Sequence, residues 1–310
     1  MRRIFKGRSG ELAARLADLR FTLYLMRKNP LVLIGVSLSV FFIVLALVAN
    51  LIVNPALADQ FNFALSYGWN NPLFSWGPGT ATIRGEGTFY LGTDGYGRDL
   101  LQMIVLAIPL DIGLAFFIAL GAAAFGITIG ALAGYAGGVI DEAILRITDI
   151  FFAFPGLLLA LVFAAVFGRN ITNLAFAVLL VWWPTYVRLM RGQVLAEKEK
   201  NYVEALRALG AGHLRTLFRH IIPNSIYPIL IQITLDLGGV ILTFSALMFL
   251  GFSPSPALPE LGNLASDGIT HVFTAPWLII FPGLTILLIA LAFNLVGDGL
   301  RDVLDPRLRR

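Results

Sequence analysis

The chain is 310 residues long, 57% of them hydrophobic and only 14% charged, with a mean hydropathy of +0.80. Soluble domains run at about 45–50% apolar and about 25% charged, so a water-soluble globule is excluded, and the apolar surplus excludes a disordered chain as well. The absence of Cys removes disulfides, thiol nucleophiles and cysteine metal sites, and His213, His220 and His271 have no His or Cys partner at ligand spacing, so no metal site is expected. The formal charge of +4 is modest, and its placement along the chain says more than its size.

In chain order, residues 1–30 form a basic leader in which Leu12, Leu16, Leu19 and Leu23 recur at helical spacing. It is either an amphipathic element on the membrane surface or a solvated positive tail. Residues 31–53 carry no charge and would reach about 34 Å as a helix, enough to span alone. A signal peptide cleaved at Ala56-Leu57-Ala58 is the competing reading. The run is longer than the roughly 7–15 residues of such a segment, which favours an uncleaved anchor. Residues 54–102 read as an outer loop rich in Asn, Gly, Pro and aromatics, with Trp69 and Trp76 suited to the interface. A core of five spans over 103–300 follows, with apolar runs at 103–138, 143–167, 171–187, 221–250 and 276–297, and 301–310 is a tail. Of the 23 Lys and Arg, only Arg84, Arg98 and Arg169 fall on one side; the rest lie in the leader, at Arg146, in 188–220 and in the tail. The positive-inside rule therefore places both termini in the cytoplasm of an all-α, six-span membrane protein.

Within the spans, Gly126, Gly130, Gly134 and Gly138 keep a four-residue small-residue register. That pattern suits a close helix contact, with a flexible or unwound stretch as the alternative. Pro109, Pro155, Pro184, Pro228 and Pro282 would bend their helices. Ionisable groups at membrane depth usually face a cavity or a partner, which makes Asp111, Asp149 and Asp236 candidates for a translocation path, with Gln232 and Asn294 as polar companions. The bland alternatives are an outer-interface position for Asp111 and an intrahelical ion pair of Asp149 with Arg146, three residues before it.

The polar segment 201–224, NYVEALRALGAGHLRTLFRHIIPN, differs from its surroundings. Val203, Leu206 and Leu209, then Leu214, Leu217, Phe218 and Ile221, follow helical spacing, and Gly210 and Gly212 interrupt it, so it reads as two short helices joined by a glycine bend. On pattern alone it is an interfacial amphipathic helix; Pro223 would begin the next span.

Glu204-Ala205-Leu206, then Gly210, then His220-Ile221-Ile222-Pro223, resembles the EAA loop of ABC-importer permeases, E-A-A-x3-G-x9-I-x-L-P. The stretches Leu91 to Asp99, Val187-Arg188-Leu189, and Leu295 to Pro306 extend the likeness, in order, to the C-type permeases of dipeptide, oligopeptide and nickel importers. Leu206, His220 and Ile222 depart conservatively from the pattern. At Leu106 to Gly113, LAIPLDIG stands where the family usually has a Tyr-Gly-Ala-Arg-x-Ser-Leu-like run, so no contact of that Arg or Ser carries over.

The resemblance implies half of an importer in a prokaryotic cell membrane. A second, B-type permease, two cytoplasmic ATPase subunits and an extracellular substrate-binding protein would be its partners, and no nucleic acid. No G-x-x-x-x-G-K-[ST] run occurs, so no cofactor is expected in this chain, and ATP and Mg would belong to the ATPases. It also implies that Val203, Glu204, Ala205, Leu206, Arg207, Leu209, Gly210, His213, Leu214, Arg215 and Pro223 couple to an ATPase. Gly210 would allow the turn, Glu204 would orient it, and Val203, Leu206, Leu209 and Leu214 would form the docking face. Peptides are the solute by resemblance. A stand-alone secondary transporter or channel using the three Asp as a relay is the alternative. An intramembrane enzyme lacks a nucleophile and base, so no catalytic residue is expected.

Overall fold

The computed structural model describes residues 29–53, 90–94 and 98–304. The leader at 1–28, most of the 54–102 loop with Trp69 and Trp76, and the tail from 305 lie outside the described residues. Helix α1, Pro30–Ile52, opens on Asn29, whose Oδ1 accepts from the Leu31 amide at 3.0 Å, with Pro30 at the first helical position, where a missing N–H costs nothing. Helix α2, Leu100–Ala136, is capped by Asp99, which accepts from the Leu101 amide at 2.9 Å. At 37 residues it is about 55 Å long, well beyond a bilayer core of about 30 Å, so one end stands outside the hydrocarbon.

Two departures from the sequence reading follow. The second span ends at Ala136, because Gly137 and Gly138 both have positive φ and turn the chain. The expected single span 143–167 is a broken pair: α3, Gly138–Phe152, meets α4, Gly156–Phe167, at 90°. The break falls at Ala153-Phe154-Pro155, where proline disfavours helical backbone in the residue before it.

Helix α5, Ile171–Lys198, begins at Asn170, which caps the Thr172 amide at 2.9 Å, and continues well past the apolar run that ended at 187. Short helices α6, Asn201–Ala208, α7, His213–Thr216, and α8, Ile222–Ser225, follow, with a π-helical turn at Leu217–Ile221 between α7 and α8. Helix α9, Tyr227–Leu247, runs into a second π-turn, Met248–Phe252. Helix α10, Leu261–Asp267, and helix α11, Trp277–Leu304, complete the chain. Five of the described helices are long and apolar enough to cross a membrane, and the broken pair makes six if it counts as one span.

The main seam lies between α2 and α5; α11 packs on α9, α10 and α1. The glycine register explains the seam. A Cβ on Gly126 or Gly130 would collide with the backbone or Cβ of Trp183, Tyr186 and Val187, and one on Gly134 would lie 2.9 Å from the Arg191 carbonyl oxygen. Gly138 is no part of that face: nothing lies near it, and it serves the turn. Buried Tyr186, Met190 and Val194 fill the seam.

Candidate functional site

The polar segment is built from its turn outward. After α6, the Gly210 amide bonds the Arg207 carbonyl at 2.9 Å and the Ala211 amide bonds that of Leu206 at 3.0 Å, with Gly210 at φ +78°. This is a Schellman closure, which needs a left-handed residue at Gly210's position and satisfies two otherwise orphaned carbonyls. Glu204 takes no part in it. Its side chain is exposed and has no ion pair among the described residues, so the backbone, not a carboxylate, orients the bend.

The expected docking face also divides. Val203 is fully buried in the chain's own core beside Leu217 and Ile221, and Leu206 is half-buried, whereas Leu209 and Leu214 are 84% and 67% exposed. Ala205, Arg207, His213, Arg215 and Pro223 are exposed around them. Pro223 does not begin the span, which starts at Tyr227 beyond α8. The segment is fastened on two sides. Tyr202 donates to Glu197 Oε1 at 2.8 Å and accepts from Asn224 at 3.3 Å, while Lys200 pairs with Glu197 at 2.6 Å. Burial, aided by Glu197, raises the Tyr202 hydroxyl and keeps it a donor. On the far side, the His213 ring nitrogen and Tyr135 hydroxyl are 3.1 Å apart, and the Arg207 guanidinium lies 5.9 Å from the same Tyr135 ring, so both short helices touch the end of α2.

The three acidic path candidates have separate surroundings. Asp111 is buried and accepts from the Leu261 amide at 3.2 Å, so it holds the start of α10. Asp149 is exposed and pairs with Arg188, whose guanidinium also lies 4.1 Å from the Phe152 ring. The expected partner Arg146 pairs instead with Glu142 at 3.3 Å. Asp236 is half-buried and accepts from Gln232 at 2.9 Å, one helical turn away on α9. Asn294 lies against Gly238 across the α9–α11 contact. With one carboxylate in a helix cap and one in an ion pair, the three do not form a relay.

Several residues were not singled out from sequence. Arg191 grips Asp141 through two bonds of 2.5 and 2.7 Å, and with Arg188–Asp149 it ties α3 to α5. These pairs are the physical reason that α5 continues beyond the apolar run: its arginines have partners. Glu260 is fully buried, accepting from Ser245 at 3.0 Å and from the Asn263 amide at 2.7 Å, and burial pushes its carboxyl up to about 7. Asp267, on the same short helix, is pushed up to about 6 by burial and by Asp94. Arg98, paired with Asp94 at 2.5 Å, reaches the Ala257 carbonyl at 3.0 Å, and the Trp277 indole donates to the Thr93 carbonyl at 3.1 Å. The signal for Glu260 was a lone acidic residue after a proline, with nothing local to mark it as buried.

Residues 126–310 match the family model described as the binding-protein-dependent transport system inner membrane component. The chain is 38% identical to the dipeptide transport system permease protein DppC of Alkalihalophilus pseudofirmus, over 92% of this chain and 88% of that one. It is 40% identical to DppC of Escherichia coli over 92% and 91%, and 40% identical to the glutathione transport system permease protein GsiD of Pectobacterium atrosepticum over 71% and 73%. The matched region holds the glycine seam, the Gly210 bend and the last four long helices or helix pairs. The chain is therefore a multi-pass inner-membrane permease subunit, a member of the binding-protein-dependent transport system inner membrane component family.

Proposed function

We propose that this chain forms one half of the translocation path of an ATP-driven importer of small peptides, with both termini in the cytoplasm. A second, homologous permease would supply the other half, a binding protein would deliver the solute from outside, and two ATPases would drive the cycle. The peptide assignment is supported by the relatives, which are permeases of dipeptide and glutathione transport systems. The coupling assignment rests on one observation: Leu209 and Leu214 stand exposed on either side of the Gly210 bend, on an element that Val203, Leu217 and Ile221 fasten into the chain's own core. Exposed apolar side chains on a rigid, polar-rimmed bend suit a groove in a soluble partner. Burying them contributes about 25 cal/mol per Å², enough for specific docking when the element is already ordered.

The test is a reconstituted complex carrying Leu209→Asp or Gly210→Val. Valine at φ +78° strains the bend by about 1–3 kcal/mol, so Gly210→Val loses most substrate-stimulated ATPase activity and uptake together. Leu209→Asp leaves the fold of this chain intact and releases the ATPases from the complex. Wild-type uptake in both variants would overturn the coupling role.

A further inference from the structure

Asp236 sits near the middle of α9 with Gln232 on one carboxylate oxygen and no hydrogen-bond partner on the other. No Lys, Arg or His pairs with it among the described residues. A carboxylate at this depth without a counter-ion is costly and is retained where a cation meets it. The Trp182 indole approaches the same carboxylate, and the buried Tyr186 hydroxyl faces it without a well-formed hydrogen bond. Trp182 also lines a pocket of about 240 Å³ with Phe151, Phe154, Leu157 and Thr185. That pocket opens at the 90° break between α3 and α4. Non-helical backbone at membrane depth is tolerated where it borders a cavity, and broken helices recur at solute sites.

Carboxylate, indole and aromatic pocket therefore converge on one ligand chemistry. A carboxylate beside an electron-rich ring recognises a primary ammonium, and the adjoining apolar hollow has room for a single side chain. Lipid headgroup amines lie at the membrane faces rather than at mid-span. We propose that Asp236 and Trp182 form a subsite for the free α-ammonium of a peptide in transit, with the first side chain of the peptide in the Phe151–Trp182 pocket. This deepens the peptide-importer reading and rests on it.

Because the chain has no Cys, Thr185→Cys places a single thiol of nearly equal size on the pocket wall. In the purified complex, maleimide labelling at position 185 is read by peptide mapping of this chain. The dipeptide Ala-Phe slows labelling about fivefold, the worth of one ammonium contact, whereas N-acetyl-Ala-Phe does not. Asp236→Asn abolishes the protection and Asp236→Glu keeps it, while the thermal midpoint of the complex stays within the range of the parent. Equal protection by the two peptides, protection by neither, or protection that survives Asp236→Asn overturns the subsite. Uptake of radiolabelled Ala-Phe by wild-type proteoliposomes separates the two levels: its absence removes the peptide reading itself, and its presence with an unprotected thiol removes only the subsite. A thiol that resists labelling is replaced by the uptake arm, in which Asp236→Asn raises the KM for Ala-Phe about fivefold and an unchanged KM overturns the subsite.

Discussion

A carboxyl group cut off from water holds its proton, and Glu260 is in that position. Burial raises it from the ordinary 4.5 to about 7, so the folded state binds a proton that the unfolded chain has already released. The stability this group contributes is present below about 4.5 and is lost as pH rises through about 7. The thermal midpoint of the purified complex is expected to fall between pH 5 and pH 7 and then level off, and Glu260→Gln, which retains an acceptor for the Asn263 amide, flattens that slope. An unaltered slope in the variant would assign the pH dependence elsewhere. None of this was legible in the sequence. The other carboxylate at the start of α10 is Asp111, which bonds the Leu261 amide across 150 positions of chain, and no local pattern encodes such a meeting.

At the scale of elements, spacing was most informative where one periodicity met one partner. The four-residue glycine register was readable and is the contact face of α2 on α5 at Gly126, Gly130 and Gly134. Gly130→Leu forces those backbones apart, at a cost of about 1–3 kcal/mol or more, and is expected to lower both yield and thermal midpoint. Gly113→Ala on the same helix, where nothing lies within 4 Å, leaves them unchanged or slightly raised. Similar losses from both substitutions would mean that close packing at the seam is not what makes Gly130 necessary. The break at 153–155 was not legible, because hydropathy reports how apolar a run is and not its direction. Pro155 was visible but is one of several prolines, and Pro109, Pro184 and Pro282 lie inside continuous helices. The length of α5 as a helix was not legible for an electrostatic reason: Arg188 and Arg191 end the apolar run, and the carboxylates that pair with them, Asp149 and Asp141, lie 39 and 50 positions away in the chain.

At the scale of the molecule, the order of spans was legible because each long helix is apolar on its own account. The wiring of the polar segment was not, since Tyr135, Tyr202 and Val203 had no mark that distinguished an anchor from an exposed residue. Those anchors connect the segment to α2 and α5 and, through Asn224, to the short helix α8 that leads into α9, so a push on the Gly210 bend reaches both long helices and the entry to a third. The π-turn at Leu217–Ile221 stands on the way to α9, just ahead of Pro223, which has no N–H to offer the carbonyl four residues back. Such a turn contains one residue more than a regular turn and keeps the flanking helices in phase. The extra residue is helical slack, and slack can be removed. Deleting the exposed Arg219 is expected to tighten the turn to an α-turn and leave an assembled, transporting complex. Deleting Thr234 from regular α9 rotates all that follows by about 100°, turns Asp236 off its face and abolishes uptake. Equal damage from the two deletions, measured as uptake per assembled complex, would mean that the widened turn holds no spare residue and that its length is itself the lever.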